Sequence, residues 1–165
     1  MHQKGQAHET GHAIRQPRVH SGHWLSMDPR ITYGIAQLRF EVFTMGQGIS
    51  DTPDLDGLDL EEDTTTFWIS DHEEPVCTLR TLARPSEQVA IGRVATSPRY
   101  RGQGLAGLLL TSAIAEYPGR IINIHAQAYL EHWYERFGFR RTGPNFDEAG
   151  IHHAPMSLVP DDAGI

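Results

Sequence analysis

Cysteine is nearly absent: Cys77 is the only one in 165 residues. A single thiol excludes an intrachain disulfide framework and fits a reducing, cytoplasmic setting. Lysine is as scarce, with Lys4 alone against thirteen arginines; no function attaches to that bias. Long apolar runs are missing too. None approaches the roughly 20 residues that a membrane helix needs, and no signal-peptide pattern opens the chain. No membrane association is expected. Positive charge is in deficit, with 14 basic against 21 acidic side chains and a net charge of −7. That argues against nonspecific nucleic-acid binding and suits a cationic small molecule.

The length fits one domain with a sizeable core. Residues 1–23 stand apart, with five of the ten histidines and almost no large apolar side chains. Such a segment buries too little to offset its ordering entropy, so a disordered or loosely docked tail is expected. Its histidines lack a firm ligand spacing, and no metal is expected. A single domain is expected over 24–160, followed by a short tail, 161–165.

Periodicity supplies the elements. Asp28-Pro29 opens a helix whose stripe is Ile31, Ile35, Leu38 and Val42, ending near Gly46. The acidic loop 49–63 follows. Asp54, Asp56 and Asp59 lack the order a calcium loop requires, although Asp59 could hold a substrate ammonium. Residues 67–70 and 76–84 read as a hairpin, and 88–96 as a third strand. A helix is expected over about 103–116, a strand over 121–127, and a short helix over 128–137 with Gly138 as its left-handed cap. Strands at 139–141 and 151–158 close a mixed α/β domain. Cys77 falls inside a strand with no motif around it and reads as a packed core thiol.

The chemistry starts at RYRGQGLAGLLL, residues 99–110. A strand ends, glycines allow close backbone approach, and a helix begins. Its free N–H groups and dipole favour an anion, and Arg99 and Arg101 add positive charge. The Gly-Lys-Ser/Thr ending of a Walker loop is missing, and no third glycine falls at the dinucleotide offset. A pyrophosphate fits this turn. Downstream, QAYLEHWYERFGF places Tyr134 four residues before Gly138.

Together these two segments resemble the GNAT superfamily of acyl-CoA-dependent N-acyltransferases. The turn is Arg101-Gly102-Gln103-Gly104-Leu105-Ala106. The resemblance extends to the ElaA-like branch through LRFEVF (38–43), PDLDGLD (53–59), IGRVATSPRYRG (91–102), HAQAYLEHWYERFGF (125–139) and EAGIHHAPM (148–156). It covers about residues 30–158. The chain departs from the branch at Gly46, Thr66 and Ile151–Ala154, all on the substrate side.

The resemblance implies a mostly antiparallel sheet, flanked by helices and splayed between two parallel strands, here 88–96 and 121–127. The acyl-pantetheine arm of acetyl-CoA would lie in the split, against the backbone of Val94, Ala95 and Thr96. Gln127 would bond that arm. The pyrophosphate would sit on Arg101, Gly102, Gln103, Gly104, Leu105, Ala106 and Gly107, with Arg99 beside them. Tyr134 would protonate the leaving thiolate. His153 with Glu148 would serve as base, and His125 is a further candidate. The implied reaction is direct N-acetylation of a small, cationic primary amine. A non-catalytic acyl-CoA-binding or sensing module is the alternative. Exposed sheet edges would allow a homodimer.

Overall fold

The computed structural model describes residues 12–161. The tails at 1–11 and 162–165 lie outside the described residues. One eight-stranded sheet organises the chain. Its strands are β1 (His20–Gly22), β2 (Thr64–Asp71), β3 (Glu74–Leu82), β4 (Val89–Thr96), β5 (Ile122–Gln127), β6 (Arg140–Arg141), β7 (Phe146–Glu148) and β8 (Ile151–Leu158). They lie in the order β1-β2-β3-β4-β5-β8-β6, with β7 also paired to β8. Every pairing is antiparallel except β4 with β5. This is the mixed architecture expected from the sequence.

Helices cover both faces. Helix α1 (Pro29–Arg39) starts as its sequence dictates: Pro29 takes the first turn and Asp28 accepts a hydrogen bond from the Arg30 N–H at 2.9 Å. Beyond Arg39 the helix widens into a π-helical segment, Phe40–Gly46. Its apolar stripe buries Leu38 and Val42 over Ala95 of β4. Helix α2 (Leu105–Ala115) lies on the opposite face and buries Leu105, Leu109, Leu110 and Ala113. Helix α3 (Glu131–Glu135) follows a 3-10 turn over Ala128–Leu130. Among the described residues no helix is long and apolar enough to cross a membrane.

Three elements differ from expectation. Within the segment 1–23, expected to be a disordered or loosely docked tail, His20–Gly22 adds an edge strand to β2. Strand β2 begins at Thr64, three residues early; Thr64 and Thr66 are buried despite their hydroxyls. Residues 146–148, to which the sequence assigns no element, pair with β8.

Gly138 shows how tightly α3 is seated. Its φ is +96°, and an added Cβ would come within 2.9 Å of Leu158 Cδ1. The backbone favours glycine, and a Cβ would force the end of the Leu158 side chain to shift. Gly138→Ala should lower unfolding free energy by about 2 kcal/mol or more, from left-handed strain plus overpacking. A urea midpoint equal to that of the parent would contradict this packing.

Candidate active site

The two parallel strands pair only at Val89↔Ile122, Ala90↔Asn123 and Ile91↔Ile124. Past that point β4 stays with β3 through Thr96, and β5 stays with β8 through Gln127. The sheet therefore opens into a V between Gly92–Thr96 and His125–Gln127. A β-bulge accompanies the opening. Thr78 faces Ala95 and Arg80 faces Gly92, so Arg93 and Val94 together oppose the single residue Leu79. Arg93 carries φ +53°.

The glycine turn stands beyond the end of β4. Gly102 and Gly104 have φ +79° and +74°, and a Cβ on either would meet nothing within 4 Å. The turn is thus left-handed, open on its outer side, and leads into the free N–H groups of α2. Such a cradle fits a pyrophosphate. Arg99 and Arg101 are exposed; Arg99 stands 4.0 Å from Glu74, and Arg101 Nε donates to the Thr96 carbonyl at 3.4 Å. Gln103 is otherwise engaged: it accepts from the Ile14 N–H and donates to the His12 carbonyl. Leu105 is buried in the core and Ala106 packs against it. Gly107 has a different reason for being glycine. A Cβ there would lie 3.2 Å from Phe137 and 4.0 Å from Trp133. The two sequence motifs meet at this contact.

Tyr134 is buried among Trp133 and Phe139, with ring centroids 4.8 and 6.0 Å away. Burial pushes its phenol above the ordinary tyrosine range, and the nearby Tyr129 adds to the effect. The group stays protonated at neutral pH and is available as a donor. Cys77 is fully buried and its thiol is pushed up to about 11, chiefly by desolvation, against hydrogen bonds from Thr96 and the Thr78 backbone. A thiol held protonated at neutral pH makes a poor nucleophile. Its Sγ lies 3.3 Å from the Thr96 hydroxyl.

The other sheet face carries the candidate base. Gln127 and His153 are directly opposed on β5 and β8, and strand alternation puts His125 on the same face. Glu148 sits between the histidines, 3.4 Å from His125 Nδ1 and 3.8 Å from His153 Nε2. Phe146 packs edge-on to His125 and stacks on His153. His153 is buried, and its Nδ1 lies 2.7 Å from the Ile151 carbonyl. That carbonyl can only accept, so Nδ1 carries a proton and Nε2 of the neutral ring is left as an acceptor. The structure thus brings together all three sequence candidates.

Two residues went unnoticed in the sequence. Gln47, just past the π-helical segment, exchanges two hydrogen bonds with Gln127, at 3.1 and 3.0 Å. No local signal marks it. Arg93 could have been found, because a glycine inside a strand pattern, here Gly92, signals a bulge.

Asp59 requires a correction. It cannot serve a substrate ammonium, because it is 2% exposed and already paired. Arg39 meets it at 2.8 and 3.1 Å, and Arg80 at 3.2 Å. Asp54 pairs with Arg39 and Arg93, and Asp56 with Arg80 and Arg93. Three guanidinium groups neutralise three carboxylates. Among the described residues no group of three His, Cys, Asp or Glu is arranged to hold a metal.

A split parallel pair, a glycine turn at a helix start and a buried tyrosine beside it define an acyl-CoA acyltransferase fold. Residues 56–160 match the family model described as an acetyltransferase (GNAT) domain, and the chain belongs to that family. Its likeness runs to the ElaA-like branch. A UPF0039 protein of Mycobacterium tuberculosis is 40% identical over 134 residues, covering 79% of this chain and 85% of that protein. Protein ElaA of Escherichia coli is 31% identical over 131 residues, covering 76% and 85%. The crystal structure of an acyl-CoA N-acyltransferase from Pseudomonas aeruginosa superposes with a TM-score of 0.81 at 31% identity, covering 87% of this chain and all of that one.

Proposed function

We propose that this protein moves an acetyl group from acetyl-CoA directly to a small primary amine. The observation that carries the reading is the split of β4 from β5, with Tyr134 on one face and the His153–Glu148 pair on the other. The turn from Arg101 to Gly107 holds the pyrophosphate through backbone N–H groups, with Arg99 and Arg101 nearby. The strand segment Val94–Thr96 pairs with the pantetheine arm, and a backbone N–H near Val94 stabilises the oxyanion. Gln127 exchanges its partner Gln47 for the same arm.

The amine attacks as the neutral base. His153 takes its proton at Nε2, held in the right tautomer by the Ile151 carbonyl, and Glu148 stabilises the resulting imidazolium. A C–N bond forms and the C–S bond breaks. The thiolate leaves with the Tyr134 proton. Because Asp54, Asp56 and Asp59 are spent on arginines, Glu148 is the carboxylate left to draw an ammonium toward the cleft.

Thiol release from acetyl-CoA, followed across a panel of primary amines, tests the reading. Turnover with at least one amine is the expected result. Acetyl-CoA binding without turnover on any amine would instead identify a non-catalytic acyl-CoA-binding module.

A further inference from the structure

We propose that Arg93 is a positioning residue. Its guanidinium, clamped by Asp54 and Asp56, holds the β4 bulge that shapes the mouth of the cleft. The inference rests on the acyl-CoA reading above.

Four non-glycine residues among those described have positive φ: His72, Ser86, Arg93 and Ala149. Only Arg93 lies inside a strand. Left-handed backbone in a long side chain persists where the surroundings over-determine it. Here they do. Arg93 Nε lies 2.8 Å from Asp54 Oδ1. Its Nη2 donates to the Asp54 carbonyl at 3.1 Å and to Asp56 Oδ2 at 3.2 Å.

The clamp is anchored, not floating. Asp54 is also held by Arg39 of α1 at 2.8 Å, and Asp56 by Arg80 of β3 at 2.6 Å. Asp59 joins Arg39 to Arg80. The loop 51–63 is thereby fastened to two neighbouring elements, and Arg93 fastens the bulge to the loop.

Its place in the chain gives this a consequence. The last paired position between β4 and β5 is Ile91↔Ile124. The bulge follows at once, where β4 loses its β5 partner. Bulges re-aim the residues that follow them. Val94–Thr96 are those residues, and they face the thioester in the proposed reaction. Arg93 acts through them and touches no reacting atom.

Two substitutions separate the backbone from the side chain. Arg93→Gly relieves the left-handed strain but deletes the clamp. Arg93→Lys keeps a cation able to reach one carboxylate. Amide hydrogen exchange needs no substrate and reads the bulge itself. Arg93→Gly should speed exchange in residues 92–96 at least tenfold, with α2 amides unchanged and Arg93→Lys intermediate. In turnover assays, Arg93→Gly should lower kcat at least tenfold, with a smaller loss of coenzyme A affinity, because the glycine turn keeps its hold while the Val94–Thr96 contacts weaken.

Parent-like exchange at 92–96 in Arg93→Gly would overturn the proposal. So would faster exchange spread evenly over the whole sheet, which marks a merely structural residue. If the glycine variant fails to fold, the lysine variant decides by the same exchange readout. A parent protein that turns over no amine sinks the acetyltransferase reading, and the exchange measurement still decides the clamp.

Discussion

Asp59→Ala is expected to lower the unfolding free energy by about 3–5 kcal/mol, the usual cost of removing one partner from a buried ion pair. Asp59 is 2% exposed and Arg39 is 1% exposed. Truncation strips Arg39 of two hydrogen bonds and Arg80 of one. Neither guanidinium can shed its charge. The internal comparison is Glu61→Ala. Glu61 pairs with Arg84 at 2.7 Å, but both side chains are more than a third exposed, and such pairs contribute little. Urea unfolding of both variants is the measurement. Equal midpoint shifts would mean that the network is wet in solution.

The same network sets an acid limb. Burial pushes the Asp56 carboxyl up, but the Arg80 hydrogen bonds, the Leu58 N–H and the charges of Arg80 and Arg93 outweigh it and leave it at about 2. Its ordinary value is 3.8. A depressed folded-state value stabilises the fold above the ordinary value, and that contribution is lost as pH falls from about 4 toward 2. Asp56 is 28% exposed, so solvent screening reduces it to on the order of 1 kcal/mol.

Periodicity carried the sheet and both long helices, because their apolar faces repeat at 2 and 3.6 residues. The split pair was readable through RYRGQGLAGLLL and QAYLEHWYERFGF, whose contact at Gly107 and Phe137 is physical. What stayed hidden has long-range causes. Thr64 and Thr66 look like loop because their partners are remote; the Thr64 hydroxyl donates to the Leu58 carbonyl. The π-helical turn at Phe40–Gly46 leaves no mark in a stripe spaced three and four residues apart. The acidic loop read as a solvated patch facing a cation, since its arginine partners stand at 39, 80 and 93. Charge pairing across 15 to 39 residues is invisible to a local reading. The same loop therefore pointed to a cationic acceptor for a reason the fold removes.

Tyr134→Phe is expected to cut kcat about 100-fold, within the range for losing a general acid, and to leave coenzyme A affinity within twofold. The separation follows from placement: Tyr134 lies on α3, whereas in the proposed reaction the coenzyme is held by the glycine turn at the start of α2. Stability supplies the control. The ring is buried, but its hydroxyl has no hydrogen-bond partner among the described residues and is not a fully buried atom, so removing it strands no partner and the melting temperature should hold. A loss of turnover with an unchanged melting temperature then reports chemistry and not unfolding. The pH profile adds an independent check. Burial and Tyr129 hold the phenol above its ordinary value of 10.0, so ionisation of Tyr134 contributes no alkaline fall in kcat below pH 10. An alkaline limb near pH 9 that vanishes in the phenylalanine variant would contradict that burial. Full activity in Tyr134→Phe would pass the thiolate's proton to water and leave Tyr134 as a packing residue between Trp133 and Phe139.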